Sequence, residues 1–200
     1  PAFGSLRAHV LGNRLRHDLA HGRVDRQRLR AFLSLPCKAA YVNAEWLERR
    51  DRDDALVDPK NRFETGFDAI GDPEELVREC LLEVFRTEDS YAAYTDHVSE
   101  AWLKRCFAEA KILAGEGDAE RWSSMLDDPA YCGALKERVE IRSPATRTAL
   151  FGAKDPVGID VDIKHVTHLV VKVFEIDTLS YYRDRHEEVS AWINLDGLVA

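Results

Sequence analysis

The sequence predicts an α+β chain, an N-terminal all-α helical domain followed by a small, incomplete antiparallel β element. Three observations predict it. Up to about Val139 the apolar residues recur at helical spacing, and from Val157 they alternate every second residue, through Val157, Ile159, Val161 and Ile163 and again through Leu169, Val171 and Val173. Helix-start signals punctuate the first part, clearest at Asp72-Pro73-Glu74-Glu75, where Asp caps, Pro takes the first helical position and Glu75 falls at the capping-box position. The 200 residues are 45% hydrophobic and 9% aromatic, which is enough apolar material to bury a core.

The first helix is expected over Phe3 to Ala20, with Leu6, Val10, Leu11, Leu15 and Leu19 on one side and Gly22 past its end. Asp25 caps a second helix carrying Leu29, Phe32 and Leu33, and Pro36 stops it, so the pair forms a hairpin. Asn43 caps a third helix through Trp46, Leu47 and Arg50. Irregular chain follows, with a turn at Asp58-Pro59-Lys60-Asn61. The Asp72 helix reaches about Arg86, a short one runs from Ser90 to His97, and Ser99 opens another that ends near Ala114 before Gly115-Glu116-Gly117. Asp118 and Asp128-Pro129 start two more, reaching Leu126 and Arg138.

These signals divide the chain into a helical domain at 1–142, a joint at 143–156 marked by Pro144, Gly152 and Pro156, and the start of a β-rich module at 157–200. The module holds strand candidates at 157–163, 168–177 and 189–195, with a helical turn or two from Thr178 to Arg185. Three strands barely stand alone, so the element is expected to pack on the helices or to continue beyond Ala200. The chain lacks an initiator Met and stops just after Asp196-Gly197, so both ends read as cuts inside a longer polypeptide. No apolar run approaches the roughly 18–20 residues of a membrane span. No signal-peptide pattern opens the chain, but with both ends read as cuts this says little about the parent protein, so the compartment is left unknown, cytoplasmic only by default.

The net charge of −8 is uneven. Residues 1–52 hold 11 Arg and Lys against 5 acids, a net of +6, which leaves −14 for the rest. A basic hairpin can bind nucleic acid, although it has few aromatics to stack on bases, or it can dock against the acidic remainder. Cys37, Cys80, Cys106 and Cys132 lack zinc-site spacing. Cys80 and Cys106 fall on apolar stripes, as buried reduced thiols do.

Four residues bear weighing as a catalytic or metal group. His165 and His168 are three apart, which in a strand places them on opposite faces, so only a turn at Val166-Thr167 would bring both imidazoles together on a metal, and two partly exposed loop histidines are expected instead. Asp160 and Asp162 share a polar face with Lys164, and no third carboxylate completes a cation loop. Asp51, Asp53, Asp54 and Asp58, interleaved with Arg49, Arg50 and Arg52, read as a solvated ionic cluster rather than a calcium loop. Gly115-Glu116-Gly117 is half of a dinucleotide turn but follows a helix, not a strand. No catalytic, cofactor or metal residue is therefore assigned.

The stretch IKHVTHLVVKVFEID, Ile163 to Asp177, continues through the paired Tyr181-Tyr182 to Ile193-Asn194-Leu195-Asp196-Gly197-Leu198-Val199-Ala200. It resembles a macroglobulin-like β module of very large, mostly uncharacterised bacterial multidomain proteins. The resemblance implies a structural or interaction segment between β modules and implies no catalytic residue. The expected function is thus a non-catalytic structural or protein-interaction segment, with adjacent domains of a parent chain, or another protein, as partners. The alternatives are a hydrolase using Asp160, Asp162, His165 and His168, or nucleic-acid binding through the Arg-rich first hairpin at Arg14, Arg23, Arg26 and Arg30.

Overall fold

A computed structural model describes residues 3–50, 56–142 and 160–189, with residues 152, 154–156, 158 and 193. Eight helices and a two-stranded antiparallel ribbon make it α+β. The helices are α1 (Gly4–Ala20), α2 (Arg26–Leu33), α3 (Ala44–Glu48), α4 (Pro73–Phe85), α5 (Glu100–Ala114), α6 (Ala119–Ser124), α7 (Pro129–Glu137) and α8 (Thr178–Arg185). A 3₁₀ turn, Ala92–Tyr94, stands where a short helix is expected over Ser90–His97. Asx side chains start most of the helices. The carboxylates or amide oxygens of Asp25, Asn43, Asp72, Asp118, Asp128 and Asp177 each accept a backbone N–H of the following turn, satisfying donors that have no partner inside the helix. Ser99 makes no such side-chain bond. Its own N–H goes instead to Tyr41 O at 2.8 Å, while Asn43 N reaches His97 O at 2.9 Å. This short bridge, Val42 opposite Val98, ties the start of α3 to the start of α5.

The chain forms two compact units, 1–165 and 166–200. In the first, α4 and α5 make the central contact, α1 packs on α2 and α4, and α6 and α7 pack on α5. Phe32, Leu33, Leu81, Phe85, Tyr94, Leu103 and Phe107 fill the core. Phe85 meets Tyr94 and Phe107 edge to face at 5.6 and 5.3 Å between centroids, and Phe107 meets Trp122 in the same way at 5.6 Å. All four cysteines are buried and free. Burial pushes the Cys80 and Cys106 thiols up to about 12.

The orientation of α1 differs from the expected stripe. The buried residues are Ala8, His9, Gly12, Leu15 and Asp18, whereas Val10 is 49% exposed. The cause is a segment of irregular chain, residues 56–72, laid along one side of α1 like a strap. Ser5, His9, Asn13 and Arg16 follow one another at helical spacing and bond to it in turn. Ser5 Oγ accepts from Asp58 N at 3.0 Å, His9 Nε2 meets Thr65 Oγ1 at 3.0 Å, Asn13 Nδ2 donates to Asp68 O at 3.3 Å, and Arg16 donates to Ala69 O at 3.1 Å and to Ile70 O. Small residues beside this ladder let the strap approach, and Gly4 and Gly12 touch Val57 and Ile70.

The ribbon consists of β1 (Glu140–Arg142) and β2 (Asp162–Lys164), with Ile141 opposite Ile163. Expectation and structure differ here in three ways. β1 is a strand where only the end of the helical body is expected. The 157–163 candidate forms a strand over Asp162–Lys164. The 168–177 candidate carries no strand, because a ladder needs a hydrogen-bonded neighbour and the described residues supply none. The 189–195 candidate, apart from residues 189 and 193, lies outside the described residues, as do Pro144, Val157 and Ile159. In the second unit Val170, Val171 and Val173 are exposed along irregular chain that leads into α8.

Candidate functional site

Asp160 and Asp162 are exposed, and Asp162 sits opposite Arg142 in the ribbon. His165 closes β2 in a left-handed conformation, φ 53°. Among the described residues no group of three or more His, Cys, Asp or Glu is placed to hold a metal ion. Lys164 does not hold the Asp pair. Its Nζ donates at 3.2 Å to Leu113 O, a carbonyl of the last turn of α5, where a cation also complements the helix dipole. The ribbon is thereby pinned to the helical body by its polar side, with Glu140 beside Lys164 and bonded to Arg138 at 3.0 Å. Its apolar pair faces water, Ile141 58% and Ile163 52% exposed.

Gly115 and Gly117 both take left-handed conformations, φ 69° and 73°, and end α5 rather than cradle a phosphate. Glu116 O between them accepts the Trp122 indole N–H at 2.7 Å. Asp58 Oδ1 closes its own turn by accepting Lys60 N, and Asp51, Asp53 and Asp54 lie outside the described residues. A cleft of about 370 Å³ between α4, α5 and β1 is lined by Arg78, Glu79, Glu83, Arg86, Arg138 and Glu140. Three cations and three acids share its lining with Leu19, Leu82, Ala110 and Leu113. Beside it, buried Glu109 pairs with Arg78.

The Arg-rich hairpin separates into two kinds of residue. Part of it is spent within the body, as the docking alternative expects. Arg28 pairs with buried Asp18 across α1 and α2, Arg26 pairs with Glu88 at 2.6 Å, Arg16 holds the strap, and Arg30 lies 5.7 Å over the Tyr94 ring. Arg23 is exposed in the turn between α1 and α2, and the remaining residues lie on the outer side of α1. Phe3, Arg7, Val10, Arg14, His17 and His21 are all exposed, and their spacing of three and four places them on one face. Neither Arg7 nor Arg14 has an ion pair or a side-chain hydrogen bond among the described residues. The His17 and His21 rings stack at 4.1 Å, with His21 Nδ1 2.7 Å from His17 O. This row was hidden in the sequence because Val10 fits an apolar stripe equally well. The signal that could have found it is the recurrence of Arg7, Arg14 and His21 every seven residues.

Fold and surface define a small helical module that carries a β ribbon and an exposed basic helix face. The chain belongs to the family of the actin-binding protein F N-terminal domain, whose model matches residues 1–139. Residues 169–200 match the first immunoglobulin-like domain of AbpF. Actin-binding protein F of Dictyostelium discoideum is 36% identical over 129 residues, which are 64% of this chain and 6% of that protein. The chain therefore spans only a small part of the length of that relative. No solved structure matches it.

These matches correct the resemblance of residues 163–200 to a macroglobulin-like module of uncharacterised bacterial proteins. The relative is a Dictyostelium protein named for actin binding, and the segment matches an immunoglobulin-like domain. The physical reason is that alternating Val and Ile with a turn marks a strand in any β sandwich. The run VKVFEID therefore carries strand propensity but does not distinguish one sandwich family from another. No helix among the described residues is long and apolar enough to cross a membrane.

Proposed function

We propose that this chain is a non-catalytic actin-binding module, in which the helical domain of residues 1–142 engages the filament and residues 157–200 begin a β-rich module after a joint at 143–156. The observation that carries the proposal is the family match over residues 1–139, together with a relative whose name states actin binding. The exposed basic face of α1 gives such a module a surface on which Arg7 and Arg14 form no ion pair among the described residues. The immunoglobulin-like match supports adjacent domains of a parent chain as further partners. Val170, Val171 and Val173, exposed on irregular chain within the matched segment, supply apolar side chains of the kind that strands of such a sandwich bury.

Co-sedimentation of the 200-residue chain with actin filaments tests the proposal. Saturable transfer to the pellet with rising filament concentration is expected. A chain that stays in the supernatant at every filament concentration overturns it.

A further inference from the structure

We infer that the outer face of α1 is the docking surface, and that its partner is an acidic protein surface on the actin filament, an assignment that rests on the function proposed above. Phe3, Arg7, Val10, Arg14, His17 and His21 run along one side of the helix, all exposed, with no acid among them. At about 1.5 Å per residue, Arg7 and Arg14 stand roughly 10 Å apart along the axis, and His21 stands as far again beyond Arg14. Two cations at that separation, Arg7 and Arg14, fit carboxylates presented at a like interval, with Val10 between them available to bury apolar area in the contact.

Among the described residues no acid forms an ion pair with Arg7 or Arg14, although Arg14 lies near enough to Asp25 to help lower its pKa. Asp18, at the edge of α1, is buried under Arg28. Asp58, Glu64 and Asp68 belong to the strap held on the adjoining face. Of the cations elsewhere in the hairpin, Arg16, Arg26, Arg28 and Arg30 are engaged within the body, and Arg23 is exposed in the turn between α1 and α2. The division is informative, because a hairpin whose positive charge served only to dock its own acidic remainder would have no reason to leave Arg7 and Arg14 facing water. A nucleic-acid partner is disfavoured because the row offers one Phe, Tyr or Trp side chain for stacking, Phe3 at one end, and its two imidazoles stack on each other.

The test compares the 200-residue chain with R7E/R14E, with the milder R7Q/R14Q, and with a control of equal charge change on other helices, K104E/K136E. Filament co-sedimentation is run at about 50 and 200 mM salt, and circular dichroism melting confirms the fold of each variant. A loss of at least about tenfold in affinity is expected for R7E/R14E, less for R7Q/R14Q and little for the control, with wild-type binding weakening as salt rises. Wild-type binding that all three variants retain overturns the surface assignment and leaves the actin reading standing. No wild-type binding overturns both. Equal or tighter binding of a labelled 30-base-pair DNA duplex, lost in R7E/R14E, overturns the protein partner, and concentration-dependent self-association lost in the same variant overturns it in favour of a second copy.

Discussion

Gly12 of α1 lies against Ile70 of the strap so closely that a Cβ on Gly12 would stand 2.4 Å from Ile70 Cδ1 and 2.8 Å from Cγ1. Ile70 is fully buried and branched at Cβ, so it has little room to turn away. Gly12→Ala gains about 1 kcal/mol of helix propensity but overpacks the site at a cost of about 1–3 kcal/mol. A net loss of about 1 kcal/mol is expected in urea unfolding. Gly133, inside α7 with open space where a Cβ would go, should respond in the opposite way, Gly133→Ala adding about 0.5–1 kcal/mol.

Arg16 holds the far end of the same strap through two backbone carbonyls. Arg16→Ala leaves those carbonyls to water and should cost about 2 kcal/mol. Hydrogen exchange should show faster exchange at strap amides such as Val57 and Phe67, while the amides of α4 and α5 keep their order of protection. Uniform acceleration across the helical body would contradict a locally held strap.

What could be read from the sequence follows from how far each interaction reaches. The capping roles of Asp25, Asn43, Asp72, Asp118 and Asp128 were legible, because a cap is decided within three residues. The buried side of α1 was not. It depends on bonds such as His9 to Thr65, 56 residues apart, which no local pattern records. β1 is three residues long, too short for alternation to register, and the strand propensity of residues 168–177 says nothing about which chain pairs with them. The basic excess of the first hairpin was visible as a count, but its division into engaged and free arginines required the fold.

Glu109 is fully buried on α5 and pairs with Arg78 of α4, which is partly exposed. Removing only one partner strands a charge. Glu109→Leu should cost about 2–3 kcal/mol, and the double variant E109L/R78L should recover most of that loss, because an apolar replacement of both partners avoids their desolvation. A double variant no better than the single one would show that the pair contributes mainly through packing.

The Asp25 carboxylate accepts the Arg28 N–H at 2.9 Å, which holds it below its ordinary value of 3.8. A group held below its unfolded value stabilises the fold above that value and loses the contribution as pH falls past it. Asp25→Ala should therefore cost about 1 kcal/mol at pH 7, with the gap to wild type narrowing below about pH 4. Thermal melts of both proteins across pH 3 to 7 provide the comparison.

Burial raises the Cys80 and Cys106 thiols to about 12, so neither carries thiolate at neutral pH. Both should react with a thiol reagent only on unfolding, and the intact mass should not change on reduction. Rapid native-state labelling of either would contradict their place in the core.

The central claim, that the outer face of α1 meets the filament, is tested most directly by a photoreactive benzophenone side chain placed at position 10, the exposed centre of the row. Illumination of the labelled 200-residue chain on filaments should give a covalent adduct whose mass is the chain plus one actin, and the same label at the exposed position 136 of α7 should give little. Adducts from position 136 but none from position 10 would place the contact on another face and contradict the account.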